Sequence, residues 1–594
     1  MHLIDNICIS WIFFFIFVPL SKKQLETPKL MKTKLNLLMH GESPVFGFRN
    51  RIEALRYFII ILCFASTIHG YAQNTYVPDD KFEQALIDLG YDSGSLDNFV
   101  PTANISGIAE LNIFNKNIQD LTGIEDFTAL KVLDCSSNNL TQLDLSRNTE
   151  LRILRCHYNN ISNLNISQNT YLKTIECHSN RLTSLDVSSS ENLEVLNCAN
   201  NLLTQINTSN NPMLTRLYCF NNRLTSLDIT QNTLITELNC YSNFLTTLNV
   251  MQNENLSVLD CSNNLITTMD VRNNLALTDL YCYNNQLEEL DITNNINLVD
   301  LNCSFNEITF IDPRQNIELM HFNCSHNNLS EIDVSQNVEL QTFSFSNNDI
   351  QDIELSNNVK LRQLYSFSNP LETLNVSSNP LLTHISCGDN LLTELDLSNN
   401  PQLSYLNCAN NSLENLALEA NNQITYLYCQ NNSLVSIDAS NLSRLTRMRC
   451  ENNNLESLDM ANGNNLFVNN YNSTGNVNLN CVNVDNPAYS TANWHNRDTQ
   501  TQFSDACASL SIEDNTEMNL VSLFPNPSTS YVYITLKAQS NYILYNVNGQ
   551  KLSHGAFSYG KNTLDLSSLP QGMYFVSLTT ENRTEVYKIV KNRG

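Results

Sequence analysis

The sequence predicts a β-rich solenoid with one long parallel sheet, a short helical N-terminal cap and a C-terminal β-sandwich domain. Three observations predict it. A cysteine recurs every 21 residues from Cys135 to Cys450, replaced only at Phe345 and Ser366. An asparagine follows three residues later in each of the sixteen units, from Asn138 to Asn453. Beyond residue 521 this period gives way to short alternating runs such as YVYITL at 531–536. Units in unbroken phase stack, each burying its face only against its neighbours.

One unit, residues 130–150, reads LKVLDCSSNNLTQLDLSRNTE. The alternation Leu133-x-Cys135 predicts a short strand with one face in the core. Strands about 4.8 Å apart would build a surface roughly 75 Å long. The asparagine amide, turned inward, can bond the backbone of its own turn and of the next. So short a unit leaves little room for a helix on the convex side. Leu143, Asp144 and Leu145 suggest a second brief strand or an extended turn there.

The unit spells LxxLxCxxNxL, with LxxLDLxxN nested in its second half. This pattern resembles the leucine-rich repeat family, in its short nested 21-residue bacterial class, over residues 108–465. The resemblance implies a narrow, strand-rich coil rather than a helix-backed horseshoe.

A solenoid needs caps at its open ends. At residues 73–107 the run Asp79 to Gly90, DDKFEQALIDLG, predicts a helix with Phe82, Ala85, Leu86 and Leu89 on one face and Gly90 as its stop. One irregular 22-residue unit, Ile108 to Ala129, precedes the strict period. Residues 466–512, with Trp494, are expected as the C-terminal cap, and 513–520 as a polar linker.

Residues 1–72 read as a leader. The apolar stretch 57–68 follows Arg49, Arg51 and Arg56, and cleavage after Ala72 would leave Gln73 first. A second apolar run at 7–20 is too short to span a bilayer, which suggests a start at Met31 or Met39. No transmembrane span is expected in the mature chain.

The tail, residues 521–594, has short strands punctuated by Gly and Pro, with an Asn548-Gly549 hairpin turn. Phe524-Pro525-Asn526-Pro527, YNVNGQKL at 545–552 and LPQGMY at 569–574 resemble the sorting domain of the type IX secretion system. That resemblance implies contact with the type IX export machinery. It also implies secretion from, or anchoring at the outer surface of, a Gram-negative cell.

The formal charge is −26 and the leader is net positive, so the remainder is more acidic still. Phosphate contact needs basic patches, so no nucleic-acid partner is expected. Of the 18 cysteines, fourteen occupy the repeating core position, where a thiol is a compact apolar filler. They read as buried free thiols. No CxxC pair or His/Cys spacing points to zinc, and no cofactor is expected. Cys481 and Cys507 lie beyond the array, and a bridge between them would close its C-terminal end.

Variable outward positions of the concave strands carry the candidate ligand-binding residues Tyr218, Phe220, Tyr241, Tyr281, Tyr283 and Phe305. A second aromatic group holds Tyr365, Phe367, Tyr405, Tyr426 and Tyr428. Rings beside amides can stack on sugars or anchor a protein. His157 and His178, one turn apart, read as surface histidines. A convex carboxylate row from Asp144 to Asp459 could attract calcium, although interleaved Asn165, Asn207 and Asn249 equally suggest relief of like charge. No GxSxG, HExxH or phosphate loop occurs, so no enzyme is expected. The composite reading is an adhesin-like binding protein for extracellular protein or polysaccharide. Its rival is a passive structural or spacer component of the cell surface.

Overall fold

A computed structural model describes residues 73–507, 521–536, 539–579 and 584–592. The leader at 1–72, the end of the C-terminal cap at 508–512 and the linker at 513–520 lie outside the described residues. The described residues fall into two compact units, divided between Phe503 and Ser504.

The first unit opens with a strand, Asn74–Tyr76, paired antiparallel to Phe99–Pro101. Between them lies helix α1, Asp80–Asp88. Asp79 caps it, accepting from the Lys81 and Phe82 amides at 2.8 and 3.0 Å. The other oxygen of the same carboxylate accepts from Gln119 and Asp120 at 2.7 and 2.9 Å, which ties the cap to the first repeat. Phe82, Ala85 and Leu86 are buried as the pattern predicts. Leu89 is not: it is the C-cap residue and is 42% exposed, because the helix ends one residue before it.

Eighteen three-residue strands, from Glu110–Asn112 to Asn470–Asn472, build one parallel sheet. Leu111 pairs with Leu133, a step of 22, and the following steps are 21 as far as Met448. The last step, Met448 to Tyr471, is 23. Each strand pairs only with its sequence neighbours, so the ladder is open, with its ends roughly 80 Å apart along the stack at the usual strand spacing. The middle residue of each strand, such as Leu133, Leu217 or Phe343, is fully buried.

What turns the chain after each strand is a backbone feature. Two residues past every ladder cysteine, from Ser137 to Asn452, the residue is left-handed, with φ between 50° and 57°. Eight of these sixteen are Asn and none is β-branched, as that conformation demands. The motif asparagine then closes the turn. Asn159 Nδ2 donates to Cys135 O at 3.0 Å and Cys156 O at 3.1 Å, while its Oδ1 accepts from Leu140 N at 2.9 Å.

A second asparagine ladder runs through the opposite corner, from Asn148 to Asn421. Its members are fully buried and donate to two carbonyls of the preceding turn, as Asn169 does to Leu145 O and Asn148 O at 3.0 and 2.8 Å. In twelve of them Oδ1 accepts no protein hydrogen bond. Asn232 differs, because Thr208 Oγ1 donates to it at 2.7 Å.

Both expectations for the convex side are met, in different places. An extended turn prevails along most of the coil, with one isolated bridge at Asp144 and Asn165. True strands form only near the end, where Ser436–Asp438, Ser457–Met460, Cys481–Val484 and Gln502–Ser504 make a second sheet. The open C-terminal end is plugged by rings: Trp494 stacks on Tyr471 at 4.4 Å and packs edge-on against Phe503 at 5.5 Å.

The second unit is a sandwich of seven antiparallel strands among the described residues. Three, Val521–Phe524, Tyr531–Leu536 and Gly560–Asp565, form one sheet. Four, Ser540–Asn546, Lys551–Phe557, Gly572–Thr579 and Thr584–Lys591, form the other. Val532, Ile534, Leu544, Leu564, Val576 and Ile589 fill the space between them. Gly549, at φ +79°, makes the predicted hairpin turn.

Candidate functional site: the concave face

Turns are counted from the one holding Cys135 (turn 1) to the one holding Cys450 (turn 16). On each strand the outer residues point away from the core and the middle one into it, so the outward positions make continuous columns across the sheet. Tyr218 and Tyr281 are the last residues of their strands. Phe220, Tyr241 and Tyr283 follow the ladder cysteines of turns 5, 6 and 8, and Phe305 occupies the left-handed corner of turn 9.

These rings meet in part. Phe220 and Tyr241 stack with centroids 4.7 Å apart and planes 9° from parallel. The Tyr218 hydroxyl donates to Glu237 on the next strand. Burial first, then that hydrogen bond, pushes the phenol up to about 12. Tyr281 is likewise pushed up to about 12, by burial and by the nearby carboxylates of Asp300, Asp279 and Asp260. Asn221 donates to Asn200 Oδ1 at 2.9 Å and to the Tyr241 hydroxyl at 3.2 Å, which anchors the stack. Phe305 lies apart from the other five, is 51% exposed and stacks on His326 at 3.9 Å.

The second aromatic group has a different character. Tyr405 packs against Tyr426 at 6.1 Å and Tyr428 at 5.8 Å, and His384 stacks on Tyr405 at 5.8 Å. Here the chain supplies its own cation: the Arg447 guanidinium sits 5.0 Å from the Tyr426 ring centre.

The ladder thiols are all free and buried, from Cys135 to Cys450. Burial pushes Cys198, Cys303 and Cys387 up to about 12, which removes them from thiolate chemistry. Cys481 begins a convex strand and Cys507 lies beyond Gln502–Ser504; each is disulfide-bonded.

His157 and His178 stack at 4.4 Å, and His157 Nδ1 lies 3.7 Å from Glu176 Oε2. Burial and the neighbouring ring hold His178 down at about 4. Among the described residues no group of three or more His, Cys, Asp or Glu could hold a metal ion.

The convex carboxylates have a local job that the sequence reading did not find. Asp144, Asp186, Asp228 and Asp291 each accept the amide two residues ahead at 2.9 to 3.0 Å, fixing the turn. Asp270 and Asp312 also take both arms of Arg272 and Arg314, with the closest contact 2.7 Å in each pair. An open groove of about 880 Å³ runs along the convex side here, lined by Asp270, Asp291, Asp312, Met269 and Phe310. Only the exposed Phe310, in a column otherwise largely polar, could have pointed to it in the sequence.

The fold is a leucine-rich-repeat solenoid followed by a C-terminal sorting domain, as comparison with known proteins agrees. Residues 522–592 match the family described as the secretion system C-terminal sorting domain. The structure titled the functional domain of InlJ from Listeria monocytogenes, which "includes a cysteine ladder", has a TM-score of 0.53 and 27% identity. It is matched over 88% of this chain and 99% of that one. Internalin J of the Listeria monocytogenes serotype 4b strain F2365 is 36% identical over 76 residues, 13% of this chain and 8% of the relative. That sequence match therefore spans under a tenth of the relative's length. A second Listeria monocytogenes internalin structure, inlF, aligns at 21% identity with a TM-score of 0.47, over 56% of this chain and 96% of that one.

A sorting tail of this type marks a chain for secretion or attachment at the outer surface. Among the described residues no helix is long and apolar enough to cross a membrane.

Proposed function

We propose that this is a binding protein of the bacterial exterior, exported by the type IX machinery, whose concave face engages an extracellular protein or polysaccharide. The observation that supports this reading most is the cluster on turns 5 to 8. Tyr218, Phe220, Tyr241, Tyr281 and Tyr283 occupy outward positions that the fold leaves free to vary. Ordered, half-buried rings present large contact area at little cost in rotamer entropy. Phe305, apart from these rings and stacked on His326, serves as a peripheral contact.

The tail carries the export step, and a bridge between Cys481 and Cys507 belongs to the same proposal as a fastening after the last repeats. Such a bridge suits an exported chain, while the ladder thiols need no oxidant at all.

The test is binding of the full-length protein to arrayed polysaccharides and extracellular-matrix proteins, beside a variant with the five clustered rings changed to Ala. Specific binding that falls at least about tenfold in the variant is expected. Binding that survives the five substitutions overturns the assignment of this surface. Absence of binding by either protein favours a passive spacer.

A further inference from the structure

Resting on the concave-face reading, the charge on the same turns names the chemistry of the partner. Turns 6 to 9 each place one carboxylate on a concave strand: Glu237, Asp260, Asp279 and Asp300. No Lys or Arg occupies an outward position on the concave strands of these four turns, Arg272 and Arg314 lying on the convex side with their own aspartates. Asp279 and Asp300 are paired directly across neighbouring strands. Like charges so placed repel, and the sheet gains nothing by keeping them.

Glu237 accepts from the Tyr218 hydroxyl and Asp260 from the Ser262 amide and hydroxyl, whereas the Asp279–Asp300 pair is compensated less. Asp279 accepts from its neighbour Thr278 at 2.6 Å and is hydrogen-bonded to Tyr281 on its own strand. Among the described residues no hydrogen bond or ion pair reaches Asp300, although His321 stands opposite it on the next strand. Burial raises the Asp300 carboxyl above its ordinary value, with His321 opposing the rise and Asp279 adding to it by less. Arg216 reaches this region only at its edge, 3.8 Å from Glu237.

Tyr281 lies between Asp260 and Asn302 in the same sheet, with Tyr283 two residues on. The result is a row of rings and carboxylates without a cation. In the second aromatic group Arg447 covers Tyr426, so this sheet already shows a guanidinium seated on a concave tyrosine.

We propose that turns 6 to 9 dock a cationic segment of an extracellular protein, its Arg or Lys side chains seated between Tyr281, Tyr283 and the Asp279–Asp300 pair. Charge complementarity selects this occupant over a neutral or acidic glycan, which the carboxylates would repel or leave desolvated.

The test uses the full-length protein and a short fluorescein-labelled peptide of alternating arginine and glycine, read by anisotropy. Asp279→Asn with Asp300→Asn is compared with Asp186→Asn with Asp228→Asn, an equal charge change on the convex side. A third variant carries Tyr281→Leu with Tyr283→Leu. The concave asparagines and the leucines should each weaken binding about tenfold and the convex pair less than about twofold. Equal weakening by both asparagine pairs would mean generic attraction to an acidic protein and overturns the proposal. If the leucines weaken binding and the concave asparagines do not, the concave site stands and its preference for cations falls. If no concave variant matters, or an acidic or neutral array glycan binds these turns instead, the cationic partner is refuted. Unchanged thermal melting of the asparagine variants, which keep side-chain shape, excludes misfolding as the cause.

Discussion

Asn264 is held at both ends of its amide. Nδ2 donates to Cys240 O and Cys261 O at 3.1 and 3.0 Å, and Oδ1 accepts from Leu245 N at 3.0 Å. Asn264→Ala leaves the buried Leu245 N–H without a partner and takes one of two amide donors from Cys240 O and from Cys261 O, which keep Asn243 and Asn285, and should cost about 2 kcal/mol in denaturant unfolding. Asn274, in the second ladder, donates to Val250 O and Asn253 O, but its Oδ1 has no protein partner. Asn274→Ala removes that unpaired oxygen along with the two donations, so its cost should be roughly half as large. The first ladder was legible because it stands in a fixed place beside the cysteines. The second was visible only as the last letter of LxxLDLxxN, and nothing in a sequence says that its oxygen goes unpaired. At the same scale, His178 is held neutral, at about 4 against an ordinary 6.5. Between those values the unfolded chain binds the extra proton, so stability falls as pH drops through that window. The loss should reach about 1 kcal/mol, allowing for the ring's contact with solvent, and His178→Asn should remove that slope from a pH series of unfolding curves.

The element of this molecule is the turn, and it was the most readable level. Period, strand position and the inward face followed from the spacing of Leu133, Cys135 and Asn138 alone. The left-handed corner did not, because no glycine marks it. The clue lay in composition, since Asn, Ser, one Asp and a few rings fill the column from Ser137 to Asn452 and no Val, Ile or Thr enters it. The corner also explains why Phe305 and Tyr158 project, at 51% and 58% exposure. Since each turn contacts only its neighbours, excising residues 340–360, one full period, should join turns 10 and 12 without changing the register. Leu329 N would then meet Asn369 Oδ1 where it now meets Asn348 Oδ1 at 3.0 Å. Circular dichroism should keep its shape and Tm should move by no more than about 5 °C. Removing one residue fewer should instead collapse the cooperative transition, because it misaligns both asparagine ladders at once.

On the scale of the whole molecule, fold and destination were legible, while the working surface was legible only as a list of outward positions. The sequence placed six aromatic residues there. It could not show that Phe220 and Tyr241 stack while Phe305 turns away to His326, since those pairings depend on the corner geometry. Nor could it separate the two aromatic groups, one set among carboxylates and the other already holding Arg447. The measurement that bears most directly on the central claim is a hydrogen-exchange footprint of the full-length protein with its strongest array ligand bound. Slowed exchange confined to the concave strands from Arg216–Tyr218 to Asp300–Asn302 is the expected result. Protection along the convex groove, or at the Arg447 end of the sheet alone, would contradict it.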